Sequence, residues 1–169
     1  MADTVTLKGT EVYLNGPVLH VGDNTPEAIV VTKDLKEKQI GGKKEEQQLI
    51  ITVPSLDTAV CEMETKKFNE MLSKYTAIDI SVVSMDLPFA QGRFCESFAI
   101  ANITTASDFR YKDMEKFGVL IGEGALKGLM ARAVFLINKE GKIVYKQLVS
   151  EITDEPDYQS VIKALDALK

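Results

Sequence analysis

Cys61 is the residue of this sequence best placed to act as a nucleophile, because it stands where a short apolar strand gives way to a long helical pattern. The strand pattern covers residues 49–53, and the helical pattern runs from about 58 to 74. At a helix start the backbone N–H groups are unpaired and the helix dipole is positive. That setting favours a thiolate, the reactive form of cysteine. The sequence therefore predicts a reactive, accessible sulfur at this junction.

Two nearby residues strengthen this interpretation, since Pro54, Thr58 and Cys61 form the pattern P-x-x-x-T-x-x-C. Thr58 and Cys61 lie three residues apart at the helix start and are expected to share a face. The threonine hydroxyl can donate one hydrogen bond, here to a small oxygen-containing electrophile, and accept another. The proline ring can shield the sulfur from water. Thr58 also suits the helix N-cap position, and the two roles are compatible.

The composition narrows the choice of fold and partner. With 169 residues, of which 45% are hydrophobic, the chain is expected to form one domain over residues 1–169. A formal net charge of −5 without a basic run argues against nucleic acid as a partner. The apolar runs are strand-sized and the N-terminus lacks the features of a signal peptide, so we expect a cytoplasmic location without membrane contact. Two cysteines in that compartment fit neither a zinc site nor a secreted disulfide scaffold.

The order of the predicted elements indicates a thioredoxin-like α/β fold, with a central mixed sheet flanked by helices. A parallel βαβ unit is followed by a short helix, an antiparallel hairpin and a closing helix that starts near Pro156. An N-terminal β-hairpin and an insertion around residues 87–110 are added to this core. The predicted elements are a hairpin over 4–14, a strand over 28–32, the unit 49–53, 58–74 and 78–85, a helix over 90–98, and strands over 132–137 and 142–149.

Two further expectations concern local structure. Residues 33–46 are polar and contain Gly41-Gly42, which we interpret as a turn within a charged connection. The helix that carries Cys61 is expected to bury its apolar side chains along roughly one face. These side chains are Val60, Met63, Phe68, Met71, Leu72 and Tyr75.

The predicted topology brings Arg132 close to Cys61. Strand 132–137 should run antiparallel to strand 49–53, so that its first residue lies beside the last residues of the other. A guanidinium there supplies a permanent charge and a fork of donors, which can stabilise the thiolate and hold a small H–O–O–R electrophile. The alternative for Arg132 is an ordinary surface ion pair. Three nearby carboxylates oppose thiolate formation: Asp57, Glu62 and Glu64.

Four ordered stretches resemble the thiol peroxidase branch of the peroxiredoxins, an atypical two-cysteine class, along nearly the whole chain. They are residues 54–61, 87–95, 126–134 and 147–158. The resemblance implies the peroxiredoxin variant of the thioredoxin-like fold, with Cys61 as the peroxidatic cysteine and Cys95 as the resolving cysteine of the same chain. Pro54, Thr58 and Arg132 match the other active-site positions of that family.

The resemblance also implies a reaction cycle that needs no metal, flavin or haem. The Cys61 thiolate attacks hydrogen peroxide or an organic hydroperoxide and becomes a sulfenic acid, which condenses with Cys95 into a Cys61–Cys95 disulfide. Thioredoxin then reduces this bond. The two cysteines should start too far apart to bond, so the first turn of the Cys61 helix and residues 87–98 must move. A homodimer is implied, with contacts near the active site and around Phe117.

Other interpretations of the cysteines stay open. Cys95 can be a bystander if an outside thiol resolves Cys61. The pair can also serve a redox-sensing interaction module, in which the disulfide changes a binding surface. A thioredoxin-type oxidoreductase is disfavoured because the chain has no C-x-x-C. A Cys-His hydrolase would have to use His20, the only histidine, for which a structural role is favoured.

Overall fold

The computed structural model describes residues 3–168, which contain two β-sheets and three α-helices. A three-stranded sheet has the order β1 (Thr4–Leu7), β2 (Thr10–Asn15) and β8 (Leu120–Ile121). The larger sheet has the order β10 (Ile143–Leu148), β9 (Ala133–Ile137), β5 (Gln47–Thr52), β6 (Ile78–Ser84), β7 (Thr104–Ser107), β3 (Ala28–Thr32) and β4 (Glu37–Ile40). The helices are α1 (Ala59–Met71), α2 (Pro88–Ser97) and α3 (Tyr158–Ala167), and a 3₁₀ helix covers Asp113–Phe117.

The strand pairing confirms the predicted thioredoxin-like topology. β5 pairs with β6 and β6 with β7 in parallel, and α1 and α2 are the two crossovers. β9 pairs antiparallel with both β5 and β10, as expected for the hairpin that precedes the last helix. β1 and β2 form the predicted N-terminal hairpin. Among the described residues no helix combines the length and apolar character needed to cross a bilayer.

All three α-helices pack on one face of the large sheet. Phe68 of α1, Phe94 of α2 and Val161 of α3 belong to one buried cluster, together with Ile51 and Val134 of the central strands. Side chains of β5 and β9 are buried on both faces, which explains why these strands are near-continuous apolar runs. The helices therefore stand side by side, with α1 in contact with α3 through Phe68 and Tyr158 and with the C-cap residue of α2, Phe98, through Lys66.

One predicted connection contains a strand. Within residues 33–46, β4 pairs antiparallel with β3 at the edge of the sheet. Its Glu37 and Gln39 side chains are exposed, so an edge strand with a solvated face resembled a charged loop in the sequence. Gly41 and Gly42 both have positive φ angles and form the turn that was predicted there.

The buried face of α1 also differs from the prediction. Met63 is 51% exposed, and Val60 and Met71 are only partly buried. The buried residues of α1 lie at helical spacing and are Cys61, Glu64, Thr65 and Phe68, of which the first three are polar or reactive. The helix is thus rotated so that Cys61 and Glu64 point inward, and the apolar Met63 lies on the solvent side.

Candidate active site

Cys61 lies in the first turn of α1, directly beyond the carboxyl end of β5. Thr58 is the N-cap of this helix, and its Oγ1 accepts a hydrogen bond from the Cys61 backbone N at 3.4 Å. The Thr58 hydroxyl itself donates to the Ser55 carbonyl at 3.0 Å. The N-cap role is therefore observed, while the proton that was expected to reach a bound peroxide is directed to a backbone oxygen in this structure. To donate to a peroxide, the hydroxyl has to leave Ser55.

The sulfur is less accessible than predicted, because the Cys61 side chain is 0% exposed. Rotation of α1 turns this residue toward the sheet, and Pro54 is also buried where the chain leaves β5. A buried thiol excludes large reactants and most water. A peroxide therefore reaches Cys61 only after a small displacement of the surrounding loop.

Arg132 approaches Cys61 through the register that the sequence predicted. Ala133 pairs with Thr52 across β9 and β5, so the preceding residue lies at the carboxyl end of β5. Arg132 Nη1 donates to Cys61 Sγ at 3.2 Å, and the side chain is only 2% exposed, which excludes the surface ion pair. Arg132 Nε and Nη2 donate to the Ile152 carbonyl at 3.2 and 2.9 Å. One edge of the guanidinium is thus anchored to the backbone while the other faces the sulfur.

The N-terminal hairpin supports this anchor. Thr6 N donates to Ser150 O at 2.7 Å, and Ile152 N donates to Thr6 O at 2.8 Å. The Glu151 carboxylate accepts from Gly9 N at 2.9 Å, and hydrogen bonds led by that from the Thr153 backbone lower the pKa of Glu151 to about 2. The carbonyl that orients Arg132 is therefore fixed by residues far from it in sequence.

Glu64 belongs to the candidate site, although the sequence analysis named it only among the carboxylates that oppose thiolate formation. Its side chain is fully buried, and one carboxyl oxygen accepts a hydrogen bond from Arg132 Nη1. Burial raises the pKa of Glu64 to about 7, because the loss of hydration outweighs the attraction of Arg132. Its second oxygen has no hydrogen-bond partner among the described residues. The useful signal was its spacing, since a residue three positions after Cys61 shares the same helix face.

Arg132 is consequently shared between a carboxyl group and the sulfur. Although burial alone would lower the pKa of Arg132, the Glu64 carboxylate and the Cys61 sulfur raise it. The guanidinium therefore stays charged. Its charge stabilises a Cys61 thiolate most effectively when Glu64 carries a proton, because an ionised Glu64 competes for the same donor.

The raised pKa of Glu64 predicts a pH-dependent stability. With a pKa of about 7 in the folded protein against an ordinary value of 4.5, the folded state holds this proton more tightly than the unfolded state. The stabilisation is fully present below about pH 4.5 and is lost as the pH rises through about 7. We expect the free energy of unfolding of the parent, minus that of Glu64→Gln, to fall by roughly 2–3 kcal/mol between about pH 5 and pH 8. Urea denaturation of both proteins under reducing conditions measures this difference, and a constant difference contradicts the assignment.

Cys95 is buried in α2 and does not lie beside Cys61. Its Sγ is 3.4 Å from Thr105 Oγ1 on β7, and both cysteines are free thiols. Cys95 also lines a groove of about 380 Å³ with Lys33 and Ile103, on the side of α2 that faces β3 and β7. Arg132, the partner of the Cys61 sulfur, directly precedes β9, and Thr105 lies on β7; these two strands are three strand spacings apart, or about 14 Å. The structure is therefore the reduced form, and the two sulfurs cannot bond without movement.

Two other predicted residues lie outside the candidate site. His20 is exposed, and its Nδ1 is 3.7 Å from Asp23 Oδ2 within the same loop. The hydrogen bonds of Cys61 described above are with Thr58 and Arg132 and not with His20, so the hydrolase alternative gains no support. The Phe117 side chain is buried against Phe135 at a centroid distance of 5.5 Å, and so its ring is part of the core.

Comparison with known proteins agrees with this geometry. The Redoxin family profile matches residues 20–162, and a thiol peroxidase from Aquifex aeolicus is 67% identical over 168 residues, 99% of each chain. The chain belongs to the thiol peroxidases of the Redoxin family. A thiol peroxidase from Campylobacter jejuni is 51% identical over 96% of this chain and 90% of its own. The crystal structure of a peroxiredoxin-like protein from Aquifex aeolicus superposes with a TM-score of 0.98 at 66% identity, over 100% of this chain and 99% of that one. The similarity to thiol peroxidases thus covers nearly the whole chain, including the segments that carry the candidate site.

Proposed function

We propose that this protein reduces hydrogen peroxide and organic hydroperoxides with Cys61 as the nucleophile. The observation that carries the proposal is the buried Cys61 sulfur at a helix N-terminus, with Arg132 Nη1 3.2 Å away. A helix N-terminus and a guanidinium both stabilise a thiolate, and the same donors can stabilise the negative oxygen that leaves during peroxide cleavage. Membership of the thiol peroxidases supports this chemistry.

The first step is an attack of the Cys61 thiolate on the terminal oxygen of the peroxide. An S–O bond forms, the O–O bond breaks, and the leaving oxygen takes a proton to become water or an alcohol. Cys61 becomes a sulfenic acid and has lost two electrons to the peroxide. Arg132 orients the reacting oxygens, and Pro54 keeps water away from the sulfur. Thr58 holds the first turn through its cap and donates to the peroxide once it has left Ser55.

The second step joins Cys95 to the oxidised Cys61. The Cys95 sulfur attacks the sulfenic sulfur, the S–O bond breaks, and water leaves with the thiol proton of Cys95. This step needs the first turn of α1 to unwind and α2 to shift, because the partners of the two sulfurs are separated by three strand spacings. Both cysteines then share one intrachain disulfide.

The proposal includes the partners that the resemblance implies. Thioredoxin, as a dithiol, returns two electrons by exchange and restores both thiols. We place this cycle in the cytoplasm, where such a reductant keeps thiols reduced. We also propose a homodimer, and sedimentation at low micromolar concentration that gave only monomer would reject it.

A Cys95→Ser variant tests the two-cysteine cycle. We expect it to form one equivalent of Cys61 sulfenic acid as fast as the parent and then to stop, because no second cysteine thiol is present in the chain. Intact-mass spectrometry after rapid quenching detects the added oxygen, and a thioredoxin-coupled assay follows peroxide consumption. The parent under the same conditions should cycle continuously.

The outcomes separate three interpretations. Normal cycling of Cys95→Ser with thioredoxin would remove Cys95 from the mechanism and point to an outside thiol. Continuous cycling of the parent with thioredoxin, while Cys95→Ser stops after one reaction, supports the two-cysteine peroxidase. A parent that forms the disulfide but consumes peroxide only once per chain would favour the redox-sensing module.

A further inference from the structure

Asp86 links the loop before Cys61 to the end of the neighbouring strand. It stands two residues after β6, and its carboxylate accepts from Ser55 Oγ at 2.6 Å and from Leu56 N at 2.7 Å. Hydrogen bonds to a carboxylate are stronger than those between neutral groups. The loop that enters α1 is therefore fixed in place from outside its own segment.

The same carboxylate is also connected to the helix that carries Cys95. Ser84 Oγ donates to Asp86 at 2.7 Å and accepts from Gln91 Nε2 at 3.1 Å. Gln91 Nε2 donates as well to Ala106 O on β7 at 2.8 Å. Gln91 is fully buried in α2, one helical turn before Cys95, so the two side chains share a face. These hydrogen bonds thus fix the turn of α2 that precedes Cys95.

On the other side the connection continues to the backbone of Cys61. Ser55 O accepts the Thr58 hydroxyl, and Thr58 Oγ1 caps the Cys61 backbone N. One carboxylate therefore connects, through one or two intermediate side chains, to both cysteine-bearing segments. We call this set of hydrogen bonds the Asp86 network, with its members Asp86, Ser55, Leu56, Ser84 and Gln91.

Open space lies directly beside the network. A groove of about 460 Å³ separates the loop before α1 from α2, with Asp86 on its wall and Phe94 and Phe98 on its α2 side. The groove gives the loop and the outer side of α2 room to shift, while Phe94 and Cys95 on the inner side belong to the core cluster that contains Cys61. At this place the two segments are linked by the polar connection through Asp86.

We propose that Asp86 is a positioning residue that holds the Cys61 loop and the Cys95 helix in their reduced arrangement and thereby limits the rate of disulfide formation. This inference rests on the peroxidase function proposed above. Cys95 can attack the sulfenic sulfur only from a released state in which the Asp86 network has opened. The rate of that step is then proportional to the released fraction.

The released fraction also sets how easily the enzyme is inactivated. A sulfenic acid that waits can react with a second peroxide, which transfers an oxygen to the sulfur and leaves as water or alcohol, giving a sulfinic acid. Disulfide formation competes with this reaction. A strong Asp86 network therefore makes Cys61 more sensitive to excess peroxide, and a weak one protects it.

Asp86→Asn is the informative substitution, since an amide keeps the shape but loses a charged acceptor. We expect disulfide formation to become roughly tenfold faster. Hydrogen bonds to a neutral amide stabilise the reduced arrangement less than hydrogen bonds to a carboxylate, so the released fraction rises. Sulfenic acid formation should change by less than about twofold. The released state is expected to stay a minor population, so most molecules still react with peroxide from the reduced arrangement. Sulfinic acid at a given excess of peroxide should fall by roughly tenfold. Damage to the fold would slow both steps and does not accelerate either.

Rapid-quench mass spectrometry of sulfenic acid, disulfide and sulfinic acid measures all three quantities. The matched control is Asp57→Asn, which removes an exposed carboxylate from the same loop and should leave the rate of disulfide formation at the parent value. Ser55→Ala removes one of the bonds to Asp86, together with the bond that Ser55 Oγ accepts from Asp57 N, and should accelerate disulfide formation as well, but less. It decides the question if Asp86→Asn does not fold.

Disulfide formation that is unchanged or slower in the folded variants would overturn the role of Asp86. Equal acceleration by Asp57→Asn would overturn it as well, because the effect would then come from loop charge alone. A parent that does not turn over peroxide would instead reject the peroxidase function, and this inference with it. Failure of one is thus distinguishable from failure of the other.

Discussion

Replacing Cys61 by serine is expected to abolish peroxide turnover while the fold stays intact. A serine hydroxyl does not ionise near neutral pH, so no nucleophile remains even though its oxygen can still accept from Arg132. We expect the rate of peroxide consumption to fall on the order of 10⁶-fold, to the uncatalysed background, as when other covalent enzymes lose their nucleophile. A thioredoxin-coupled assay over a range of peroxide concentrations measures the loss.

The Cys61→Ser result has a matched comparison in the second cysteine. Cys95→Ser is also a buried cysteine-to-serine change, but it should retain a single fast reaction with peroxide. Circular dichroism and urea unfolding of both variants establish that the fold is preserved. Turnover by Cys61→Ser at the parent rate would show that the peroxidase proposal is wrong.

The second large effect is expected from Arg132→Met, which keeps the length of the side chain but removes its charge. Cys61 then loses its 3.2 Å donor, and the rate constant for sulfenic acid formation should fall by roughly 10²- to 10³-fold. Glu64 is then buried without its donor and keeps its proton at neutral pH, and a buried polar group left without a hydrogen-bond partner costs roughly 1–3 kcal/mol of stability. Stopped-flow kinetics and urea denaturation report the two losses separately.

A double variant separates stability from chemistry. Arg132→Met combined with Glu64→Met removes both polar groups, so most of the lost stability should return because no buried carboxyl group is left without a partner. The peroxide reaction should remain slow, since the sulfur still lacks its donor. Recovery of the reaction rate in the double variant would contradict a direct role of the guanidinium at the sulfur.

Arg132 could be predicted from the sequence because strand pairing determines where it lies. Antiparallel pairing of β9 with β5 places the first residue of one strand beside the last residue of the other, whatever the loops between them do. Cys61 and Thr58 were likewise predictable, since a strand-to-helix junction needs an N-cap. These inferences depend on backbone regularity, which the pattern of apolar residues indicates well.

Glu64 could not be predicted in the same way. A charged residue in a helix is usually solvated, and here the rotation of α1 buries Glu64 and exposes Met63 instead. That rotation depends on the side chains of three packed helices, and the apolar residues of α1 alone do not reveal it. The direction of Cys95 toward Thr105 and the hydrogen bonds of Asp86 are also tertiary, since each joins segments that have no pattern in common.

The N-terminal hairpin gives the site an unusual dependence on distant chain segments. The region that matches the Redoxin family begins at residue 20 and includes Cys61, Cys95 and Arg132. Yet the Ile152 carbonyl that aims the guanidinium is itself held by Thr6. The segment needed for the site is therefore longer than the segment that matches the family profile. A fragment of residues 20–162 would keep every reacting group but lose the N-terminal hairpin, which holds the segment that orients Arg132.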